Sequence, residues 1–198
     1  MTTTGSVLLV GGSPSAPSRS SALLDAVGTR LALRGARIER IAVRELPAQA
    51  LLSADVSHPV IQRAADQLAQ ARAVVIASPV YKAAYSGVLK AFLDLLPQSA
   101  LKGKTVLPLA TGGSPHHMLA LDYALRPVLQ SLAARHILAG VFATDSQVTL
   151  TPEGAYQLQS ELAQRLDDSV ETLALEGLHL KPLQGFEPVH FSQVRCSA

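Results

Sequence analysis

The chain has 198 residues, of which 48% are hydrophobic and only 16% are charged. This composition excludes an intrinsically disordered chain, and the length suits one domain whose core needs no metal or disulfide to fold. The net charge is +2, and the lysines and arginines are dispersed, which argues against a nucleic-acid binder with a basic stripe. The single cysteine, Cys196, excludes an internal disulfide.

No targeting signal is visible in the amino-terminal segment, and none is expected. Residues 1–6 lack a basic stretch, and the apolar run at 7–10 is too short for the core of a signal peptide. Every other apolar run is also far shorter than the roughly 20 residues that a membrane helix requires. The sequence therefore predicts a soluble, cytoplasmic protein.

Short apolar runs alternate along the chain with patterns typical of amphipathic helices. The runs predict strands at 7–10, 37–43, 73–77, 105–111 and 137–142. Apolar residues at helical spacing predict helices at 21–34, 59–70, 86–96, 117–135 and 153–175. Residues 44–58 are predicted to be a long connection, and a proline-containing tail ends the chain.

The alternation of buried strands and helices predicts an α/β fold with a parallel sheet covered on both faces. Five such units favour a flavodoxin-like, doubly wound five-stranded sheet of order 2-1-3-4-5 over a longer six-stranded dinucleotide-binding fold. Neither an internal repeat nor a linker divides the chain. We therefore expect a single domain over residues 1–198, with its core at 6–175 and a carboxyl-terminal tail at 176–198.

The loop after the first strand is rich in hydroxyl groups. Residues 11–21 contain two glycines, five serines and Arg19, and they lead directly into the first predicted helix. Backbone N–H groups at a helix start, serine hydroxyls and an arginine together make a phosphate-binding loop. The alternative is an ordinary helix capped by Ser20 or Ser21 after a flexible loop. The segment is not a dinucleotide-binding G-x-G-x-x-G motif.

Two further loops follow predicted strands at the same edge of the sheet. Residues 78–87 hold two of the four tyrosines of the chain, and an aromatic ring there could border a planar ligand or simply pack on the next helix. Residues 111–117 hold two glycines that permit close backbone approach to a ligand. The adjacent His116 and His117 diverge on any regular element, so they make a poor metal pair, and no metal site is expected.

The fourth predicted helix has a defect in its hydrogen-bond ladder. Pro127 lacks the N–H group that would donate to the carbonyl of Tyr123, so the helix must kink or bulge there. A one-turn π-bulge is one solution and an ordinary proline kink is the other.

A hydrolase is not indicated, because the chain has no G-x-S-x-G motif and its cysteine lies in the tail.

Several segments form a recognisable ordered set. They are Gly12-Ser13-Pro14 with Ser18-Arg19-Ser20-Ser21, then residues 79–87, 107–113 and 122–127, and finally 140–142 and 145–147. The set resembles the NADPH-dependent FMN reductases of two-component alkanesulfonate monooxygenase systems, and the likeness spans nearly all of residues 6–175.

The resemblance implies a flavodoxin-like enzyme that reduces FMN with NADPH and passes the reduced flavin to a monooxygenase. It also implies roles for individual residues. The FMN phosphate would be held by Ser13, Arg19, Ser20 and Ser21. The isoalloxazine ring would be bordered by Pro79, Val80, Tyr81 and Lys82 and, at its other edge, by Thr111, Gly112 and Gly113. His117 would lie beside the site, and Tyr123 would lie in a π-helical insertion at the interface of a homotetramer.

Two departures from the family pattern are visible. Ser15 stands where an arginine is expected, which removes one phosphate-directed charge, and residues 114–116 also differ.

No side chain is predicted to be a catalytic acid or nucleophile, because hydride transfer from nicotinamide C4 to flavin N5 is carried by the cofactors. The alternatives are an FMN-retaining quinone or azo reductase of the same fold and a flavodoxin-type electron carrier. Such carriers are typically acidic, unlike this chain. Neither a nucleic acid nor a membrane is expected as a partner.

Overall fold

The structure is a computed structural model, and it describes residues 6–152 and 154–180. Residues 181–198, which include Cys196 and most of the predicted tail, lie outside the described residues, as does Glu153. Within the described ranges, no helix is both long and apolar enough to cross a membrane.

The described residues form two sheets. The main sheet contains β1 (Ser6–Gly11), β2 (Arg37–Ala42), β3 (Ala73–Tyr81), β4 (Ala84–Tyr85), β5 (Thr105–Gly112), β6 (His136–Ile137) and β7 (Val141–Thr144). A separate antiparallel hairpin contains β8 (Val148–Leu150) and β9 (Tyr156–Leu158).

The main sheet is parallel except for β4. Its order is β2-β1-β3-β5-β6, and β7 pairs with the same edge of β5 as β6 does. Residues of the central strands β1, β3 and β5 are buried as continuous apolar runs, as is typical of parallel strands covered on both faces. Taking β6 and β7 together as the fifth strand, the predicted order 2-1-3-4-5 and the flavodoxin-like fold are confirmed.

Helices cover both faces of the sheet. They are α1 (Arg19–Leu33), α2 (Ala48–Leu52), α3 (Pro59–Gln70), α4 (Gly87–Asp94), α5 (Arg126–Ser131) and α6 (Ser160–Thr172). One core packs α1 and α6 on the sheet through residues such as Leu24 and Leu166. The other packs α3, α4 and α5 through residues such as Ile61, Phe92 and Leu129. The helix predicted at 59–70 has the predicted bounds, whereas the predicted connection at 44–58 contains the short helix α2.

The fifth strand is interrupted, which corrects the continuous strand predicted at 137–142. Val106 pairs with Ile137, but Leu109 pairs with Val141, so the outer strand holds one extra residue between these pairs. Pro108 of β5 lies opposite the interruption and has no N–H to donate. The result is a β-bulge. Its Gly140 is packed so closely that a Cβ atom would lie 3.2 Å from the carbonyl oxygen of Pro108.

The fourth helix is shorter than the predicted 117–135 and is not uniform. A 3-10 turn at Pro115–His117 precedes a π-helical turn at Leu121–Leu125, which leads directly into α5. The N–H group of Arg126 donates to the carbonyl of Leu121, five residues back, immediately before Pro127. The predicted defect is therefore a π-turn. The helix ends at Ser131 because Ala133 adopts a φ of 66°, which no helical residue can have.

The last helix begins at Ser160, seven residues later than predicted. The segment before it forms the β8–β9 hairpin, whose turn is closed by the N–H group of Gly154 donating to Thr151 at 2.9 Å. Gly154 has a φ of +81°, a conformation that glycine adopts without strain. The helix ends at Thr172 and continues into a second π-helical turn, Leu173–Gly177.

Candidate functional site

A cavity of about 240 Å³ lies where the carboxyl ends of β1, β3 and β5 meet. Ligands of open α/β sheets bind at this edge, near the point where the strand order reverses. Eight of the predicted binding residues line the cavity, and these are Ser13, Arg19, Pro79, Val80, Tyr81, Thr111, Gly112 and Gly113. The geometry therefore brings the three predicted loops together around one space.

The first loop is anchored at its start to the neighbouring strand. The N–H group of Gly12 donates to the carbonyl of Ala77 at 2.8 Å, and the hydroxyl of Ser86 donates to the carbonyl of Gly12. The next residue, Ser13, is buried, and its hydroxyl accepts from the N–H group of Ser15 at 3.3 Å. These bonds fix the loop against β3 and α4 before any ligand binds.

The loop ends at the N-terminus of α1, which is capped by Ser18. The Ser18 hydroxyl accepts from the N–H group of Ser21 at 3.4 Å, and it lies 3.0 Å from the hydroxyl of Ser20. The N–H groups of Arg19 and Ser20 have no partner within the helix, because the first turn of any helix lacks acceptors. Together with the helix dipole they provide a binding place for an anion.

Arg19 carries its positive charge at the rim of the cavity. Its Nε atom donates to the carbonyl of Val148 at 3.0 Å, and its Nη1 atom lies 3.8 Å from the carboxylate of Asp145. The guanidinium is thereby held by the loop between β7 and β8. Arginine has five N–H donors, so others stay available for a phosphate.

The second loop is the turn of a β-hairpin, so β3 continues to Tyr81, past the predicted end at 77. Tyr81 pairs with Ala84, which leaves Lys82 and Ala83 as a two-residue turn. Both turn residues have positive φ, 50° and 65°, although neither is glycine or asparagine. Left-handed backbone costs a non-glycine residue roughly 1–2 kcal/mol, so this loop is strained.

A buried pair of serines connects this hairpin to the first loop. The hydroxyl of Ser78 accepts from the N–H group of Ser86 at 2.9 Å, and the hydroxyl of Ser86 caps α4 by accepting from Leu89 at 3.2 Å. Since Ser86 also donates to the carbonyl of Gly12, one side chain joins α4, the hairpin and the first loop (residues 12–18, hereafter the phosphate loop). Burial raises the pKa of the neighbouring Tyr85 phenol above its usual value.

The third loop brings backbone close to the same cavity. A Cβ atom on Gly112 would lie 3.2 Å from the ring of Phe142 and 3.5 Å from Val80, so glycine permits this packing. The following Gly113 faces Asp145, with 3.8 Å between the position of its absent Cβ and the carboxylate oxygen. Two successive residues without side chains therefore line this part of the cavity.

Five of the predicted site residues do not line this cavity, and these are Ser20, Ser21, Lys82, His117 and Tyr123. His117 lies in the exposed 3-10 turn that Ser114 caps. Tyr123 lies in the π-helical turn, and its side chain is 79% exposed. Among the described residues, no group of three His, Cys, Asp or Glu side chains is placed to hold a metal ion.

A sequence profile of the NADPH-dependent FMN reductases matches residues 6–149. The chain belongs to this family. It is 49% identical over 168 residues to an FMN reductase (NADPH) of Pseudomonas putida KT2440, covering 84% of this chain and 85% of the relative. It is 46% identical over 178 residues to an FMN reductase (NADPH) of Escherichia coli K12, covering 90% and 92%.

A more distant relative and a solved structure agree with this family assignment. An NADH-dependent FMN reductase, SfnF, of Pseudomonas fluorescens Pf0-1 is 37% identical over 75% of this chain and 71% of its own length. The crystal structure of the NADH:FMN oxidoreductase EMOB matches with a TM-score of 0.79 at 40% identity, covering 91% and 92% of the two chains. These matches confirm the predicted family and the prediction of an enzyme that reduces FMN with a nicotinamide nucleotide.

The donor groups of the cavity suit FMN. Its first loop offers Ser13, the helix N-terminus and Arg19 to a phosphate, and its second loop offers Pro79, Val80 and the Tyr81 ring to a flat apolar ring system. The cavity is smaller than the 300–1,000 Å³ common for ligand sites, and Tyr81 is 50% exposed, so part of a bound flavin would face solvent.

Two cavity-lining residues outside the three predicted loops, Asp145 and Tyr156, have no predicted role in the sequence analysis. Asp145 belongs to one of the matched motifs, so its position after the fifth strand could have identified it. Tyr156 is contributed by the β8–β9 hairpin, in a segment that was predicted to be helical. Without the hairpin, nothing in the sequence points to this side chain.

Proposed function

We propose that this chain binds FMN in the 240 Å³ cavity, reduces it with NADPH or NADH, and releases the reduced flavin to a separate monooxygenase. The observation that carries the proposal is the meeting of a hydroxyl-rich anion site and an apolar wall at the switch point of the sheet. When bound, FMN supplies N5 as the acceptor of the hydride from nicotinamide C4.

The residues of the cavity bind and orient the flavin. In this proposal Ser13, the first turn of α1 and Arg19 hold the phosphate by charge-assisted hydrogen bonds. Residues 79–81 form one wall for the ring, and Gly112 and Gly113 form the other. Ser20 contributes its backbone N–H group, since its hydroxyl is engaged with Ser18.

The protein contributes to the reaction by orienting the two nucleotides. None of the residues that line the cavity needs to act as a proton donor or nucleophile, because the two nucleotides carry the hydride and the protein places them in contact. A small, open cavity leaves the ring accessible to a nicotinamide. It also favours modest affinity, which is expected when flavin is a substrate that leaves.

Steady-state oxidation of NADPH at varied FMN concentration tests this proposal. We expect a rate that depends hyperbolically on added FMN and a purified protein with little bound flavin. A flavin-retaining quinone or azo reductase would be yellow as purified, and its rate would not depend on added FMN. An electron carrier of the flavodoxin type would not oxidise NADPH.

A homotetramer is also proposed, supported by the surface around the π-helical turn. Met118, Leu119 and Tyr123 are each more than half exposed and lie close together in sequence on this surface. An exposed apolar patch of this kind favours association with another chain. Light scattering of wild type and Tyr123→Ala tests the assembly, and an unchanged monomeric mass for both would overturn it.

The monooxygenase partner is supported by the sequence resemblance alone, and the cytoplasmic location stays an expectation of the sequence analysis. A two-component arrangement requires transfer of reduced flavin through solution or a transient complex. Coupled turnover of an alkanesulfonate by a monooxygenase, with this chain and NADPH as the source of reduced FMN, tests the partnership. Product formation that does not depend on this chain would contradict it.

A further inference from the structure

A second cavity, of about 510 Å³, adjoins the proposed flavin site. It lies between the outer side of α1, the end of β2 and the β8–β9 hairpin. The two cavities share Pro17, Ser18 and Tyr156 as lining residues, so they meet at the phosphate loop. Because the two cavities share these lining residues, one elongated ligand can contact both.

Two arginines line this second cavity, and both are held in place. Arg40 forms an ion pair with Asp25, which also lines the cavity. Arg44 pairs with Glu45 at 3.2 Å, and its Nη1 atom lies 3.5 Å from the carbonyl of Ser15 in the phosphate loop. Each guanidinium has five N–H donors, so these contacts leave donors for an anion.

A buried hydroxyl borders the same cavity without a partner. Ser21 lines the cavity, and its Oγ atom is buried and makes no hydrogen bond to any of the described residues. A buried polar atom in a native protein is normally satisfied, so an unpaired one indicates a missing ligand or water. The hydroxyl can donate to a phosphate oxygen or accept from a ribose hydroxyl.

The rest of the wall suits a nucleoside. Pro17, Tyr156 and Leu158, which line the same cavity as the two arginines, offer an apolar surface and an aromatic ring for a purine. The carboxylate of Asp25 offers an acceptor for ribose hydroxyls. A purine nucleoside that carries a phosphate on its ribose therefore matches the charged and the apolar residues that line the cavity.

We propose that this second cavity binds the adenosine 2′-phosphate end of NADPH, with Arg40 and Arg44 holding the phosphate. The proposal rests on the proposed function, in which the nicotinamide end lies against the flavin. Guanidinium groups bind phosphomonoesters in a planar fork. Because NADH lacks the 2′-phosphate, these two arginines set the preference of the enzyme between the two nucleotides.

Kinetics of charge-neutralised variants test the assignment. We expect Arg44→Gln to raise the KM for NADPH about tenfold and to change the KM for NADH less than twofold, since a phosphate–guanidinium contact is lost only with NADPH. Arg40→Gln should show the same selective rise in the KM for NADPH, since its partner Asp25 is more than half exposed and stays hydrated without the ion pair. Arg37→Gln is the matched control, because Arg37 is an exposed residue of β2 paired with Glu39.

Equal changes for NADPH and NADH, or a change in the KM for FMN alone, would overturn the assignment. A second measurement does not depend on turnover. Calorimetric titration of the wild-type protein should show adenosine 2′,5′-bisphosphate binding at least tenfold more tightly than adenosine 5′-phosphate, and Arg44→Gln should abolish the difference. Equal binding of both compounds contradicts the assignment. Failure of the wild type to reduce FMN with either nucleotide would instead overturn the proposed function. The titration would still decide whether the second cavity binds a 2′-phosphate, because it measures binding without turnover.

Discussion

Replacing Ser86 with alanine should destabilise the protein and weaken FMN binding together. Ser86 is buried, donates to the carbonyl of Gly12 and accepts from the N–H group of Leu89 as the N-cap of α4. Ser86→Ala removes both bonds and adds nothing in their place. Gly12 is itself buried, so its carbonyl oxygen would lose its side-chain partner away from solvent.

The magnitude follows from these two losses. Removal of a serine N-cap costs about 1 kcal/mol. A buried acceptor left unpaired costs about 1–3 kcal/mol more. The sum of about 2–4 kcal/mol corresponds to a melting temperature lower by about 5–15 °C in a chain of this size. Because Gly12 begins the phosphate loop, we also expect the KM for FMN to rise more than kcat falls.

Scanning calorimetry and FMN-dependent kinetics measure the two effects. The control is Ser131→Ala, since Ser131 is exposed and its hydroxyl only donates to the carbonyl of Val128 at 2.7 Å on the helix surface. That variant should stay within about 0.5 kcal/mol of wild type. A Ser86→Ala protein that melts within 2 °C of wild type and keeps its KM for FMN would refute the reasoning.

Two further predictions concern the hairpin of β3 and β4. Ala83→Gly should raise the melting temperature by about 2–4 °C, because glycine relieves about 1 kcal/mol of left-handed strain at a φ of 65°, and a lower melting temperature would contradict the strain. Burial raises the pKa of Tyr85, so the folded state keeps this proton where the unfolded state loses it, and stability should fall as the pH rises above 10. Absorbance at 295 nm should show a late-titrating phenol that is absent in Tyr85→Phe, and an unchanged titration would exclude the assignment.

The three loops of the site were predictable because the carboxyl ends of parallel strands must meet at one edge. Apolar runs located β1, β3 and β5, and the residues after each run then had to converge. The π-helical turn was also foreseen as one of two outcomes, because Pro127 cannot donate to the ladder. These predictions needed only chain direction and the hydrogen-bonding capacity of single residues.

Other features depend on neighbours that the local sequence does not contain. The bulge at Gly140 exists because Pro108, on the adjacent strand, cannot donate a hydrogen bond. The turn at Lys82 and Ala83 lacks the glycine or asparagine that signals such turns, since strand pairing imposes the positive φ values. The strands of the β8–β9 hairpin have three residues each, too few for a periodic pattern to distinguish them from a helix.

The most direct test of the central claim is the fluorescence of FMN titrated with the purified protein and then with NADPH under anaerobic conditions. The account predicts that binding quenches the fluorescence, that adding NADPH bleaches the flavin absorbance, and that Arg19→Gln weakens the quenching by lowering affinity. Fluorescence and absorbance that stay unchanged at every protein concentration would contradict the claim that this edge of the sheet binds and reduces FMN.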